Sequence, residues 1–172
     1  MDLRNDGGRM KRNQPSKLKL AQAADGGGPW ITVEFCSCLN KARCVECEIL
    51  NACKDHHFRE EDLFAIKLAL EEALVNAVKH GNKLDPQKIV RIQYRVANHR
   101  VDITIEDQGP GFNPAELPDP TAEENLEMTS GRGILLMRAY MSCVVFNPAG
   151  NKVTLTKFND GYAEPRAMAS TL

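Results

Sequence analysis

Residues 60–82 contain the sequence feature that most limits how this chain can fold, an apolar helix with a few polar residues at helical spacing. Its main apolar side chains are those of Leu63, Ile66, Leu68, Ala69, Leu70, Leu74, Val75 and Val78. They recur on both sides of the helix, which predicts burial over most of its circumference. Gly81 is expected to end the helix in a left-handed cap.

Two polar residues of this helix form the first candidate site. Glu72 and Asn76 are four residues apart, so a carboxylate and a carboxamide share one helix face. A buried carboxylate needs a partner or a function. The pair on its own is also compatible with an ordinary core helix that carries a partly exposed glutamate.

An antiparallel hairpin is predicted after the helix. Apolar and polar residues alternate through residues 90–96 and again through 101–105, with a short turn between them. Continuing the alternation places Asp107 on the same side as Ile105, facing the core. A carboxylate directed inward at the end of a strand is a candidate binding residue.

The segment after the hairpin contains a first glycine motif and a long loop. Gly109 and Gly111 follow Asp107 in the sequence DQGPG. Such glycines permit a tight turn and the close approach of a ligand to the backbone. Residues 113–129 then form a loop with three prolines, long enough to act as a lid.

A second glycine motif opens the next helix. Gly131, Arg132 and Gly133 precede an apolar helix expected over residues 134–141. The N-terminus of a helix presents backbone N–H groups and the positive end of the helix dipole, so an anion can bind there. Either glycine motif alone is also compatible with a simple turn.

Length and composition indicate one globular domain over residues 30–158, with a basic tail at 1–29 and a C-terminal tail at 159–172. The formal net charge of -1 gives no overall attraction to nucleic acid or to an anionic membrane. No apolar run approaches a membrane span, and the N-terminus lacks the apolar block of a signal peptide. These features predict a cytoplasmic protein.

Five of the six cysteines lie close together in the sequence. A disulfide framework is not expected in a chain without an export signal. The alternatives are a structural zinc site and free thiols that pack as small apolar groups; the spacing favours free thiols. The zinc site would use Cys36, Cys38, Cys44 and Cys47.

Taken together and in this order, the motifs resemble the N, G1 and G2 boxes of the GHKL ATP-binding superfamily. The wording LEEALVNAVKHGN is similar to that of bacterial anti-sigma factor serine/threonine kinases. The resemblance covers residues 30–158. It implies a two-layer α/β sandwich of the Bergerat type, with a mixed, mostly antiparallel sheet and helices on one face.

The resemblance implies a role for each motif residue. Asn76 would hold Mg²⁺, Glu72 would be the general base, and Asp107 would accept the amino group of adenine. Gly109 and Gly111 would let the nucleotide approach the backbone. The ATP phosphates would lie against the start of the last helix, formed by Gly131, Arg132, Gly133 and Ile134.

One departure concerns the last strand, where the superfamily often has Gly-Thr and this chain has Gly150 and Asn151. Asn151 can still hydrogen-bond a base, so altered nucleotide affinity is expected.

The implied function is transfer of the γ-phosphoryl group of ATP to a serine or threonine of an anti-anti-sigma protein of the STAS type. A sigma factor would be the second partner, and a homodimer is implied as well. The alternative is a non-catalytic ATP-binding module that sequesters a protein. A fragment of a sensor histidine kinase fits less well, because no phospho-acceptor histidine segment precedes the main helix.

Overall fold

The computed structural model of the protein describes residues 28–114 and 132–162. Most of the N-terminal tail, most of the 113–129 loop, Gly131 and the last ten residues of the C-terminal tail therefore lie outside the described residues. No helix in the described part is long and apolar enough to cross a lipid bilayer. In chain order the elements are β1 (Ile31–Cys36), α1 (Leu39–Asp55), α2 (Glu60–Val75), a π-helical turn (Asn76–Gly81), β2 (Ile89–Ala97), β3 (Arg100–Glu106), α3 (Arg132–Tyr140), β4 (Cys143–Phe146) and β5 (Lys152–Phe158).

The five strands form one sheet in the order β1-β2-β3-β5-β4. All pairings among the described strands are antiparallel. The sheet was predicted to be mixed and mostly antiparallel, and its described part has no parallel pair. The predicted hairpin is formed by β2 and β3, with Val96 opposite Val101. The expected α/β class is confirmed, and α3 begins two residues earlier than predicted.

The core lies between the three helices and one face of the sheet. Ile92, Ile103 and Leu155 from the sheet and Ile66 and Leu70 from α2 are all 0% exposed and belong to one apolar cluster. Burial of a side chain of this size stabilises the fold by about 2 kcal/mol. The strict alternation of β2 and β3 thus produces one apolar face, against which α2 is packed.

The prediction of a left-handed cap at Gly81 is wrong. The helix continues as one wide π-helical turn, Asn76–Gly81, and Gly81 is not among the residues with positive φ. Glycine is required there because a side chain would overlap the carboxylate of Asp107. The chain instead turns away through Lys83 and Leu84, whose φ angles are 57° and 60°.

The outer face of the sheet carries a buried ionic network centred on Asp102. Its Oδ2 accepts hydrogen bonds from Nε of Arg95 at 2.8 Å and Nε of Arg100 at 2.9 Å. Its Oδ1 accepts from Nη2 of Arg100 at 2.6 Å and from Oγ1 of Thr156 at 2.8 Å. The indole of Trp30 lies 4.7 Å from the Arg95 guanidinium and stacks over it. These contacts fix β2, β3 and β5 to one another.

The cysteines are free thiols, and no group of three or more His, Cys, Asp or Glu side chains among the described residues is placed to hold a metal. Cys53 is buried, and burial raises the pKa of its thiol to about 12. Cys38 immediately precedes α1, where backbone N–H groups of Lys41 and Asn40 lower the pKa of its thiol. Two thiols of one chain therefore differ strongly in acidity.

Candidate functional site

A cavity of about 330 Å³ opens between the helices and the sheet, at the end where β3 finishes. Its walls come from four places: the end of α2 with the π-helical turn, the loop after β3, the start of α3, and the turn between β4 and β5. The volume lies in the range of small-molecule sites. The cavity brings together segments that are far apart in the sequence.

One end of the cavity is lined by Asn76, the second residue of the predicted pair. Asn76 lines the cavity, and its side chain makes no hydrogen bond to any other described residue. Glu72 lies one turn earlier and is not one of the lining residues, but its Oε2 occupies the space next to the α-carbon of Gly133, which does line the cavity. A carboxylate thus approaches the N-terminal end of α3, where the helix dipole favours negative charge.

The other end of the cavity contains Asp107. Its Oδ1 accepts a hydrogen bond from the backbone N–H of Gly109 at 2.7 Å. Burial raises the pKa of the Asp107 carboxyl, although the Gly109 hydrogen bond acts in the opposite direction. The side chain lines the cavity, so a partly desolvated acceptor is available at this end.

Two loops close the cavity next to Asp107. Gly111 has a φ of 71° and lies in the wall, where its α-carbon packs against the backbone carbonyl of Ala149. On the opposing loop, Gly150 has a φ of 72° and packs against the backbone of Phe112. The two glycine-containing turns therefore interlock, which holds the loop after β3 against the turn between β4 and β5.

Asn151 also lines the cavity, but its amide bonds to the protein. Its Nδ2 donates to the backbone carbonyl of Asp107 at 3.1 Å, and its Oδ1 accepts from Nδ2 of Asn147 at 2.8 Å. The backbone N–H of Asp107 donates in turn to the carbonyl of Asn151 at 3.0 Å. Asn151 therefore holds the Asp107 segment in place, while its predicted contact with a base stays a prediction.

The start of α3 supplies the third part of the site. Gly133 and Ile134 line the cavity, whereas Arg132, the first residue of α3, is exposed. Because Gly131 lies outside the described residues, half of the second glycine motif is without a structural description. The described half has backbone facing the cavity at the beginning of a helix, a favourable place for an anion.

Three further residues near this site were not predicted from the sequence. His80 and Lys83 line the cavity, and Asn82 is completely buried beside it. A helical spacing of four from Asn76 leads to His80, so the signal for this residue was available. The other two follow the helix in a segment whose residue types indicate only an exposed loop.

Comparison with known proteins agrees with this geometry. The profile of the histidine kinase-like ATPase domain matches residues 41–157. An anti-sigma F factor of Clostridium perfringens strain SM101 is 36% identical over 97 residues, 55% of this chain and 69% of that protein. An anti-sigma F factor of Geobacillus stearothermophilus is 31% identical over 113 residues, 64% of this chain and 77% of that protein.

The fold is also similar to a crystal structure of the RsbU and RsbW domains of a Mycobacterium tuberculosis protein. The TM-score is 0.50 at 18% identity, with 76% of this chain and 32% of that chain covered. At that identity the likeness concerns the fold. By its matched domain and its relatives, the protein belongs to the histidine kinase-like ATPase domain family and is related within it to the anti-sigma F factors.

Proposed function

We propose that the protein is an anti-sigma factor that binds ATP with Mg²⁺ and phosphorylates a serine or threonine of an antagonist protein. The observation that carries this proposal is a cavity lined by Asn76 and Asp107, with the Glu72 carboxylate lying against a third lining residue, Gly133. A protein that only binds nucleotide needs no carboxylate at the phosphate end. The presence of Glu72 beside Asn76 therefore favours a kinase over a non-catalytic binding module.

The two ends of the cavity fit the two ends of ATP. Asp107 offers a half-buried acceptor, which suits the exocyclic amino group of adenine. At the opposite end, the backbone at Gly133 and Ile134 lies at a helix N-terminus, which suits phosphate oxygens. The nucleoside would therefore lie near the loop after β3, and the phosphates between the π-helical turn and α3.

Asn76 is the residue that would hold Mg²⁺. Its side-chain oxygen is a ligand of the kind that this ion prefers, and one protein ligand is sufficient because Mg²⁺ retains several waters. The carboxamide is not used by another described residue, so it is available for this purpose. When bound, the ion neutralises charge on the phosphate oxygens.

Glu72 would act as the base in phosphoryl transfer. The hydroxyl oxygen of the substrate forms a bond to the γ-phosphorus while the bond from that phosphorus to the β,γ-bridging oxygen breaks, and ADP leaves. Glu72 takes up the hydroxyl proton. Its position against Gly133 supports this role, because the carboxylate then stands beside the segment proposed to hold the phosphates.

The proposed partners follow from the relatives, which are anti-sigma F factors. We infer that one partner is a sigma factor and the other a STAS-type anti-anti-sigma protein that carries the phosphorylated hydroxyl. The homodimer implied by the resemblance stays a prediction, which analytical ultracentrifugation of the purified protein can check. We likewise propose a cytoplasmic location.

The first experiment is calorimetric titration of ATP, with and without Mg²⁺, into the wild type and three variants. Glu72→Gln is expected to bind ATP as the wild type does, whereas Asn76→Ala loses the Mg²⁺ dependence and Asp107→Asn loses most of the affinity. Absence of ATP binding by the wild type would contradict the whole proposal.

The second experiment measures phosphate transfer from radiolabelled ATP to a purified STAS-type protein, followed by phosphoamino acid analysis. We expect phosphoserine or phosphothreonine with the wild type and a reduction of about 100-fold with Glu72→Gln. ATP binding without transfer in either protein would instead support a non-catalytic module.

A further inference from the structure

The turn after the π-helix contains two consecutive residues in the left-handed region. Lys83 has a φ of 57° and Leu84 a φ of 60°. Neither residue is glycine or asparagine, the types that adopt this conformation readily. Such strain persists only where the surrounding structure enforces it, and it concentrates at ligand-binding segments.

Asn82 enforces the turn. Its Nδ2 donates to Oγ of Ser37 at 2.7 Å and to the carbonyl of Ile89 at 2.9 Å, and its Oδ1 accepts from the backbone N–H of Gln108 at 2.8 Å. The side chain is 0% exposed, so these bonds are made without competition from water. Asn82 thus connects the turn to the end of β1, the start of β2 and the loop after β3.

Backbone hydrogen bonds complete the constraint. The N–H of Asn82 donates to the carbonyl of Ala77 at 2.9 Å, and the N–H of Leu84 donates to the carbonyl of Val78 at 2.9 Å. The latter bond spans the two strained residues and keeps them close to the end of the helix. The conformation of Lys83 is therefore determined by its neighbours and not by its own preference.

The turn brings Lys83 to the cavity and leaves Leu84 outside it. Lys83 lines the cavity, whereas Leu84 is 53% exposed and is not part of the described wall. The ammonium group forms no ion pair with any carboxylate in the described part of the chain. A cation at the edge of a cavity that pairs with no carboxylate in that part of the chain is available for a ligand.

The position of Lys83 identifies which part of the ligand it can reach. Gly81, two residues earlier, packs against Asp107, so Lys83 lies at the Asp107 end of the cavity. Asn76, at the phosphate end, is the first residue of the π-helical turn, whereas Lys83 follows its last residue, Gly81. The backbone of Lys83 is therefore closer to the nucleoside end of the cavity than to the phosphate end.

We propose that Lys83 is a nucleotide-binding residue that contacts the purine base, and that the strained turn exists to direct it there. Purine rings offer a π-face and ring nitrogen acceptors, and a cation is attracted to both. This inference rests on the proposed function, since it assigns a further contact to the same ATP site. The contact with the purine base through a cationic side chain is a role that was not assigned to either glycine motif.

The test compares Lys83→Gly with its matched control, Leu84→Gly. Both substitutions relieve the same backbone strain, so each is expected to raise Tm by about 2 °C. Only Lys83→Gly removes the ammonium group, and it is expected to raise the Kd for ATP about fivefold, while Leu84→Gly leaves the Kd unchanged. Lys83→Arg, which keeps the positive charge, should restore most of the affinity.

A ligand series locates the contact. Titration with ATP, ADP and AMP should show the same fold loss for Lys83→Gly, because all three share the base. A loss that grows with the number of phosphates would overturn the proposal in favour of a phosphate contact. Equal Kd values for the two glycine variants would also overturn it. If the wild type binds none of the nucleotides, the proposed function itself has failed.

Discussion

The carboxylate of Glu72 occupies the space that a side chain on Gly133 would need. Glu72, the proposed base, can therefore lie against α3 only because residue 133 has no side chain. In a packed contact of this kind, a single added methyl group must displace one of the two partners.

Gly133→Ala is accordingly expected to displace Glu72 and to lower kcat for phosphoryl transfer about 100-fold, with a smaller effect on ATP affinity. Steady-state kinetics with a STAS-type substrate, together with calorimetry, would measure the two effects. Gly161→Ala is the matched control, because an added methyl there meets only the flexible side chain of Arg59 and a side-chain oxygen. Unchanged kcat in Gly133→Ala would argue against Glu72 as the base.

Asp107→Asn should separate stability from function. Burial raises the pKa of Asp107 in the folded state, so the carboxylate lowers stability once the pH exceeds the ordinary value of about 3.9. The variant should therefore unfold at a higher temperature than the wild type at pH 7, and this difference should shrink as the pH falls toward 4. Calorimetric scans over this pH range would measure it.

The same variant should bind ATP poorly, because its amide can direct a donor at the adenine amino group. A variant that is both less stable and fully competent for ATP would contradict the assignment of Asp107.

Asp102 has the opposite dependence on pH. Burial alone would raise its pKa, but hydrogen bonds from Arg100, Thr156 and Arg95 outweigh burial and hold the pKa below its ordinary value. Its contribution to stability is therefore present above about pH 3.9 and is lost as the pH falls through the lowered pKa.

Asp102→Ala should lower the free energy of unfolding by about 3 kcal/mol at pH 7, since Arg95 would lose this buried carboxylate. Urea titration would measure the loss, with Asp160→Ala as a control because that carboxylate is 57% exposed and pairs at the surface. Equal effects of the two substitutions would show that the network adds nothing to an ordinary surface pair.

Cys38 should be the most reactive thiol toward iodoacetamide near neutral pH. Backbone N–H groups at the start of α1 stabilise its thiolate, whereas the thiol of Cys53 is buried and has a pKa of about 12. Peptide mapping by mass spectrometry after brief labelling would rank the sites. Labelling of the exposed Cys44 before Cys38 would contradict this order.

Periodicity alone predicted the parts of the fold that have one apolar face. The alternation of apolar and polar residues predicted the hairpin of β2 and β3, and its continuation placed Asp107 on the side of the sheet where the cavity lies. The helical repeat likewise predicted α2 and the shared face of Glu72 and Asn76. These predictions succeeded because they depend on neighbouring residues only.

The predictions that failed or were never made depend on distant contacts. Glycine is needed at position 81 because a side chain there would overlap the carboxylate of Asp107, which follows β3. No pattern in the neighbouring sequence indicates that contact. Asn82 is an amide after a helix, which is typical of a solvent-exposed turn, yet its partners come from β1, β2 and the loop after β3. The left-handed conformation of Lys83 follows from those bonds and not from its residue type.

The pairing of β1 with β2 also determines when the sheet can be completed during synthesis. Arg91 of β2 pairs with Glu34 of β1 across 57 residues of chain, with both long helices between them. During translation, β1 leaves the ribosome first and has no strand to pair with until the hairpin follows. The nascent chain must therefore keep a cysteine-containing strand from misassociating while its helices form, and the closing of β1 onto the sheet is expected to be a late step in folding.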